Sequence, residues 1–333
     1  MNNQRRKERV AGLSVASNTI LMIMKFITGL LIGSVSIISE AIHSGVDLVA
    51  AIIALFSVRT SSLPADSHHP FGHGKIENIS GTIEALLIFV AAIWIIVEAV
   101  KKLLHPAPIE AIGWGVGVML TSSVVNIFVS KMLFKVGRET DSIALQADAW
   151  HLRVDVYTSA GVMGSLALLW MGQWIFPGKD LFWIDPAAAI GVALLIIKTA
   201  YDLTSQSAKD LLDVHLPKAE VEWIHQCILD QTPLIRGFHD LKTRKAGHFR
   251  FVEFHLKVDS HMSVMDSHDI TKVLKQKIQM QFPGTTVTVH IEPCDNRCAE
   301  KCIEGCFLTE KKRQESNVTL SPSPKIERMK KRP

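Results

Sequence analysis

His43-Ser-Gly-Val-Asp47 and His151-Leu-Arg-Val-Asp155 repeat one spacing, a histidine followed four residues later by an aspartate, and each lies inside a long apolar run. Residues four apart stack on one face of an α-helix, so each run presents one imidazole and one carboxylate in the same direction. Two such helices packed together offer two nitrogens and two oxygens, a donor set suited to a tetrahedral divalent ion such as zinc. Ionisable residues at membrane depth are costly and mark ion pathways. The two pairs therefore predict a helical membrane protein with a metal route through it.

The surrounding sequence supports a membrane location. The 333-residue chain is 48% hydrophobic, with a mean hydropathy of +0.22, and its apolar residues are clustered. A helix that crosses a bilayer needs about 20 mostly apolar residues. Six stretches qualify: 10–33, 36–58, 79–100, 111–134, 143–171 and 183–203. The first has a basic leader like that of a signal peptide, but it is longer than such a segment and a second span follows at once, so it reads as retained. Basic residues in the short connections set orientation. Arg5, Arg6, Lys7, Arg9, Arg59, Lys75, Lys131, Lys135 and Arg138 fall on one side, against Lys101, Lys102 and Lys179 on the other. That bias predicts both termini in the cytoplasm. The net charge of +4 comes largely from these flanks and the tail, which argues for topology rather than nucleic-acid binding.

Past residue 205 the composition becomes that of a small soluble domain. Residues 217–231 read as a helix with Val221, Ile224, Cys227 and Ile228 along one face, and Cys227 as a core residue. Strands are predicted at 238–245 and 249–259 around Ala246-Gly247, a helix at 264–281 before Pro283-Gly284, and a β-branched strand at 285–291. The order helix–strand–strand–helix–strand suits an open-faced α+β sandwich. The expected organisation is a basic N-terminus (1–9), a six-helix transmembrane domain (10–205), a soluble domain (206–293), a cysteine-rich segment (294–306) and a polar, basic tail (307–333) expected to be disordered.

The six spans, the paired His-x-x-x-Asp motifs, Pro64-Ala-Asp-Ser-His-His-Pro-Phe-Gly-His-Gly-Lys75 in the second connection and Leu211-Leu-Asp-Val-His-Leu-Pro217 before the soluble domain together resemble the cation diffusion facilitators. The resemblance covers residues 8–293 and is strongest to the bacterial zinc/iron-efflux type. It implies a homodimeric metal–proton antiporter of the cytoplasmic membrane, with a ferredoxin-like cytoplasmic domain and no catalytic cofactor. It also implies four groups of residues. His43, Asp47, His151 and Asp155 match the transport site, with a histidine at position 43 where bacterial zinc/cadmium members often carry aspartate. Asp66, His69 and His73 match a loop metal site, with His68 as a substitute ligand. Lys75 and Asp213 match a charged interlock. His239, His255, His268 and His290 match a regulatory site in the soluble domain, where Glu292 stands in place of aspartate.

Ligand chemistry adds an expectation of proton coupling. A metal needs neutral imidazole and ionised carboxylate, so its entry displaces protons and its departure invites them back. Arg153 lies two residues, about 200°, from His151 on its helix, and is expected to face away from the pair, toward Glu40, Asp148 or a subunit interface. Cys294, Cys298, Cys302 and Cys306 recur every fourth residue. As a helix they would form a drifting stripe of thiols able to capture or sense a soft metal, with redox sensing and an inert tail as alternatives. The leading reading is zinc export driven by protons. Export of iron, cadmium, cobalt or manganese stands beside it, although imidazoles argue against manganese. A non-transporting sensor or partner subunit is the alternative from another class. Nothing resembles a phosphate-cradling glycine loop, so an enzyme is not expected.

Overall fold

The structure is a computed structural model that describes residues 3–33, 35–104, 113–175, 183–294 and 305–317. Lys179, Cys298, Cys302 and residues 318–333 of the predicted tail lie outside the described residues. The chain divides into two compact units, the first running to Leu212 and including the short segment Ala246–His248, the second starting at Asp213 and comprising the remainder.

Among the described residues the first unit holds six helices: α1 (Asn3–Ile32), α2 (Val35–Ser61), α3 (Lys75–Leu104), α4 (Gly113–Glu139), α5 (Ile143–Ile175) and α6 (Ile184–Leu211). Each of the six predicted spans holds a helix, and each helix is longer than its predicted span. At 1.5 Å per residue they are about 40–50 Å long, more than the ~30 Å hydrocarbon core requires. Among the described residues α1, α2, α3, α4 and α6 are long and apolar enough to cross a membrane. α5, the longest, carries Asp148, Arg153 and Asp155 in its first half. Two expected boundaries move. The basic residues at positions 5–9 belong to α1 because Lys7 finds a buried carboxylate. The soluble unit begins at 213 rather than 206 because the polar end of the last span continues as helix, with Leu203 and Ser207 buried.

The side-chain distribution is that of a bundle in lipid. Large apolar residues such as Leu31, Phe56, Trp94 and Phe128 are exposed, while Ala50, Ala51, Ala54, Ala85, Ala92, Ala144, Ala147, Ala149, Ala193 and Ala200 are completely buried. Lipid tails give no hydrophobic penalty to the first set, and small residues let helix backbones approach closely. α1 packs chiefly on α2, α3 on α6 and α4 on α5. At one end of the bundle, Glu77 at the start of α3 is fully buried. Its Oε1 accepts from Lys7 Nζ of α1 (3.0 Å) and from Ser61 Oγ at the end of α2 (2.8 Å), and its Oε2 accepts from Ser142 Oγ in the α4–α5 turn (2.7 Å).

The second unit contains α7 (Lys218–Leu229), β1 (Gly237–Ala246), β2 (Phe249–Asp259), α8 (Val264–Gln281), β3 (Thr286–Cys294) and α9 (Glu310–Asn317). The sheet order is β1-β2-β3. β1 and β2 are joined through a two-residue turn at Gly247 (φ +59°), a conformation glycine adopts at no steric cost. α8 is the crossover that makes β2 and β3 parallel. It begins at Ser263, whose side chain accepts from the Asp266 amide, a strong N-terminal cap. Val252, Phe254, Leu256 and Val258 alternate inward from β2 and pack with Ile224 and Ile228 of α7 and Ile270, Leu274 and Ile278 of α8. Cys227 joins this core, and burial pushes its thiol pKa up.

The tail departs from expectation in two ways. Cys294 ends β3, while Cys306 bridges Gly237, and the Phe238 and Phe307 amides donate to Gly305 O and Arg236 O. Neither end of the cysteine run is helical: Cys294 belongs to β3, and Cys306 lies in the segment 305–307 that bonds to the start of β1. Glu310–Asn317 is a helix where disorder is expected. Its lysines, arginine and glutamates are good helix formers, with Glu310 favourably placed in the first turn.

Replacement of Glu77 by alanine leaves the Lys7 ammonium buried without this carboxylate. It is expected to cost about 3–5 kcal/mol, with a smaller loss for Glu77→Gln, measured by chemical unfolding of the purified protein in detergent.

Candidate metal sites

α2 and α5 bring the two His–Asp pairs together in opposite order. Asp47 of α2 meets His151 of α5, with Oδ1 and Nε2 3.0 Å apart, and His43 Nε2 lies 4.0 Å from the same Asp47 oxygen. Donor atoms of His43, Asp47 and Asp155 all lie within 4.8 Å of one another. Asp47 is 4% exposed and His151 7%. The four residues line a cavity of about 570 Å³, together with Asn18, Lys25, Glu40, Ser44 and Asn126. Asn126 Nδ2 donates to Asp155 Oδ2 (3.3 Å), and the amide oxygen of Asn126 is buried without a partner. The arrangement presents two imidazoles and two carboxylates to one small volume, a donor set for a borderline-soft divalent ion.

Arg153 does face away from the quartet, but not toward an acid. The half-turn from His151 brings it to α4, where Nε donates to Ser130 Oγ (3.0 Å) and the guanidinium lies 5.6 Å from the Phe134 ring centroid. Glu40 pairs instead with Lys25 (3.3 Å), whose Nζ also donates to Ser44 Oγ (2.8 Å).

The connection between α2 and α3 forms the second cluster. Asp66 Oδ1 is 3.3 Å from His69 Nδ1, its Oδ2 is 3.5 Å from His73 Nε2, and the two rings are 4.3 Å apart. The His69 and His68 amides donate to Asp66 Oδ1 at 2.6 and 2.9 Å. These amides, with the neighbouring imidazoles, hold the carboxyl below its usual range. His68 thus joins through its backbone, and its ring makes no hydrogen bond or ion pair to the cluster. Lys75 donates to Leu211 O (3.4 Å) in the first unit, and Asp213 is 3.5 Å from Arg244 Nη1 in the second.

The third cluster occupies the sheet face opposite the helices. His255 is the register partner of His290, and Lys257 that of Glu292. Glu292 is the shared centre: Oε1 lies 3.0 Å from His255 Nδ1 and 3.8 Å from His290 Nε2, and Oε2 lies 3.5 Å from His239 Nε2. The Lys257 ammonium, the nearest cation, is the main reason that the Glu292 carboxyl lies below its usual range. His268 is exposed on α8, and no hydrogen bond or ion pair joins it to the other four. Asp240 enters in its stead, with a carboxylate oxygen within 4.8 Å of donor atoms of His239 and His255. Its φ of +51° interrupts the strand alternation that would send it to the other face. Aspartate tolerates that region better than most residues, but nothing in the spacing marks position 240.

Other residues passed over in the sequence do carry a signal. Lys25 is a lone cation within the first apolar run, and Asn126 an amide within the fourth. Glu84 and Asp148 are fully buried acids in α3 and α5. Each is costly at membrane depth and therefore informative.

A family model described as the cation efflux transmembrane domain matches residues 12–212, and one described as the cation efflux protein cytoplasmic domain matches residues 216–294. The chain belongs to the cation diffusion facilitator family. It is a multi-pass membrane protein of a cation-efflux transporter family. An uncharacterized transporter of Synechocystis, sll1263, is 35% identical over 286 residues, 86% of this chain and 90% of that protein. The cation-efflux pump FieF of Salmonella paratyphi A is 31% identical over 288 residues, 86% and 92% of the two chains. A solved chain of CzrB, described as a candidate zinc transporter, is 38% identical over 23% of this chain and 96% of its own, with a TM-score of 0.22.

Asn126 orients Asp155 from outside the ligand set, and such partners typically contribute 10–100-fold to metal affinity. Asn126→Ala is expected to weaken Zn²⁺ binding at this quartet by about that factor while leaving the fold unchanged, as read by calorimetric titration against an Asp155→Ala control.

Proposed function

We propose that the chain exports Zn²⁺ from the cytoplasm in exchange for protons, using His43, Asp47, His151 and Asp155 as its transport site. The observation that carries this reading is the alternating quartet between α2 and α5, which lines one cavity of an apolar bundle with Asp47 and His151 buried and His43 half exposed. Two imidazoles with two carboxylates suit zinc, and a site without imidazole would suit manganese. The names of the relatives, a cation-efflux pump and a candidate zinc transporter, are consistent with it. Fe²⁺, Cd²⁺ or Co²⁺ would use the same donors and is the second reading.

Proton coupling follows from the ligands. The metal-bound quartet has neutral imidazoles and ionised carboxylates, and the empty quartet takes up protons. A carrier that exposes this site alternately to the two sides then exchanges one for the other. The basic bias of the connections supports a cytoplasmic location for both termini, the Asp66–His69–His73 loop and the soluble unit, with the chain in the cell's cytoplasmic membrane. In this arrangement the loop cluster delivers metal, the Glu292 cluster reports its cytoplasmic concentration, and Lys75 and Asp213 form the interlock of a homodimer.

The test is metal-dependent proton flux in vesicles containing the purified protein, with Zn²⁺, Fe²⁺, Cd²⁺ and Mn²⁺ compared and Asp155→Ala as control. The expected outcome is a zinc-dependent proton signal that the substitution abolishes. A signal with iron or cadmium alone would keep the mechanism and replace the substrate. No signal from folded, inserted protein would favour a sensor or partner subunit.

A further inference from the structure

Glu292 already has a cation on it. Lys257 Nζ lies 2.8 Å from Glu292 Oε2, closer than any of the three imidazoles that reach the same carboxylate, at 3.0, 3.5 and 3.8 Å. The contact follows from the sheet. Lys257 and Glu292 are register partners on parallel strands, one step beyond the His255–His290 pair, so their side chains rise from adjacent positions on the same face. The lysine side chain is 19% exposed and the glutamate 24%, so the pair is partly removed from water and its attraction is less screened than that of a surface pair. His239 Nδ1, in the same cluster, is buried without a partner, a donor position not used by the protein itself.

We propose that Lys257 is a tethered cation that occupies the Glu292 cluster at rest and sets the metal concentration at which the cluster fills. The inference rests on reading the cluster as a metal site. A divalent ion approaching Glu292 must displace the ammonium from Oε2 and also meets its positive charge. Lysine is suited to this role, because its flexible stem lets the ammonium swing toward solvent once the metal has taken the carboxylate. Without Lys257 the same imidazoles and carboxylate would face the metal uncontested. Lys257 then acts as a threshold, keeping the soluble unit unliganded at low metal and permitting loading only when the cation outside outcompetes the one within.

The experiment titrates Zn²⁺ into the full-length protein in detergent, on an Asp155→Ala background that silences the intramembrane quartet. Binding is followed calorimetrically, and the histidine signals by NMR with labelled imidazoles. Glu292→Gln identifies the binding component that belongs to the cluster, by its loss. Lys257→Met is expected to tighten that component about ten- to hundred-fold, the range for release of a charge-assisted hydrogen bond. Lys257→Arg, which keeps the charge, should leave it near the parent value. An unchanged or weaker component in Lys257→Met, with Glu292→Gln still removing it, overturns the role of Lys257 while leaving the metal site standing. A titration that Glu292→Gln does not alter overturns both.

Discussion

A carboxylate placed inside an apolar helix bundle has to be given partners, and Asp47 is the residue around which that requirement is met. Its oxygen is reached by an imidazole from a helix more than a hundred positions away and by another from its own helix. The geometry demands that α2 and α5 run past one another in opposite directions at this level. Only then do two copies of the same four-residue spacing interleave, nitrogen opposite oxygen. The polar side chains of α1 and α4 follow, since Asn18, Lys25 and Asn126 line the cavity on this side. The large apolar residues are left to face lipid, and alanine fills the contacts between helices.

The same device appears three times in different settings. Asp47, Asp66 and Glu292 are each a single carboxylate shared by two or three imidazoles. What differs is how the donors are held. In the bundle they come from two long helices, with Asp47 and His151 buried and His43 half exposed. In the loop they come from one segment of eight residues, organised by backbone amides on the carboxylate and open to water. On the sheet they come from three adjacent strands with fixed register. Pre-organisation therefore rises from loop to sheet to bundle, and exchange of a bound ion with solvent should be easiest in the reverse order.

The fold was largely legible because its signals are periodic. Apolar runs of membrane length, period-two alternation in Phe249–Asp259 and the stop at Pro283-Gly284 all reflect local chemistry that the tertiary structure reinforces. The intramembrane quartet was legible for the same reason, as a repeated spacing. What escaped depends on contacts between distant segments. Lys7 reads as a topology charge until Glu77 is seen opposite it. Asn126 gains meaning only from Asp155, and Lys257 only from the register that sets it beside Glu292. Asp240 needed a backbone dihedral that no spacing encodes. Nothing in the cysteine spacing marks the open edge of β1 as the partner of residues 305–307.

The division of the proposed transport ligands between two helices also limits how such a site would work. Each helix supplies one imidazole and one carboxylate, so neither alone completes a tetrahedral set. A relative shift of 1–2 Å, within the range of ordinary helix displacements, is comparable to the margin between a 3.0 Å contact and a broken one. Affinity is therefore coupled to helix position by geometry, without a separate gate at the ligands. The α3–α6 contact resists large shifts, since Ile88, Ile196 and Leu203 are buried among its alanines. The Lys7–Glu77–Ser61–Ser142 cluster ties the helices at one end, and Asp185 of α6 meets Ser165 of α5 and Lys102 of α3 at the other. A bundle tied at both ends alters the geometry of the quartet near its middle only by small shifts, and it remains assembled as it does so.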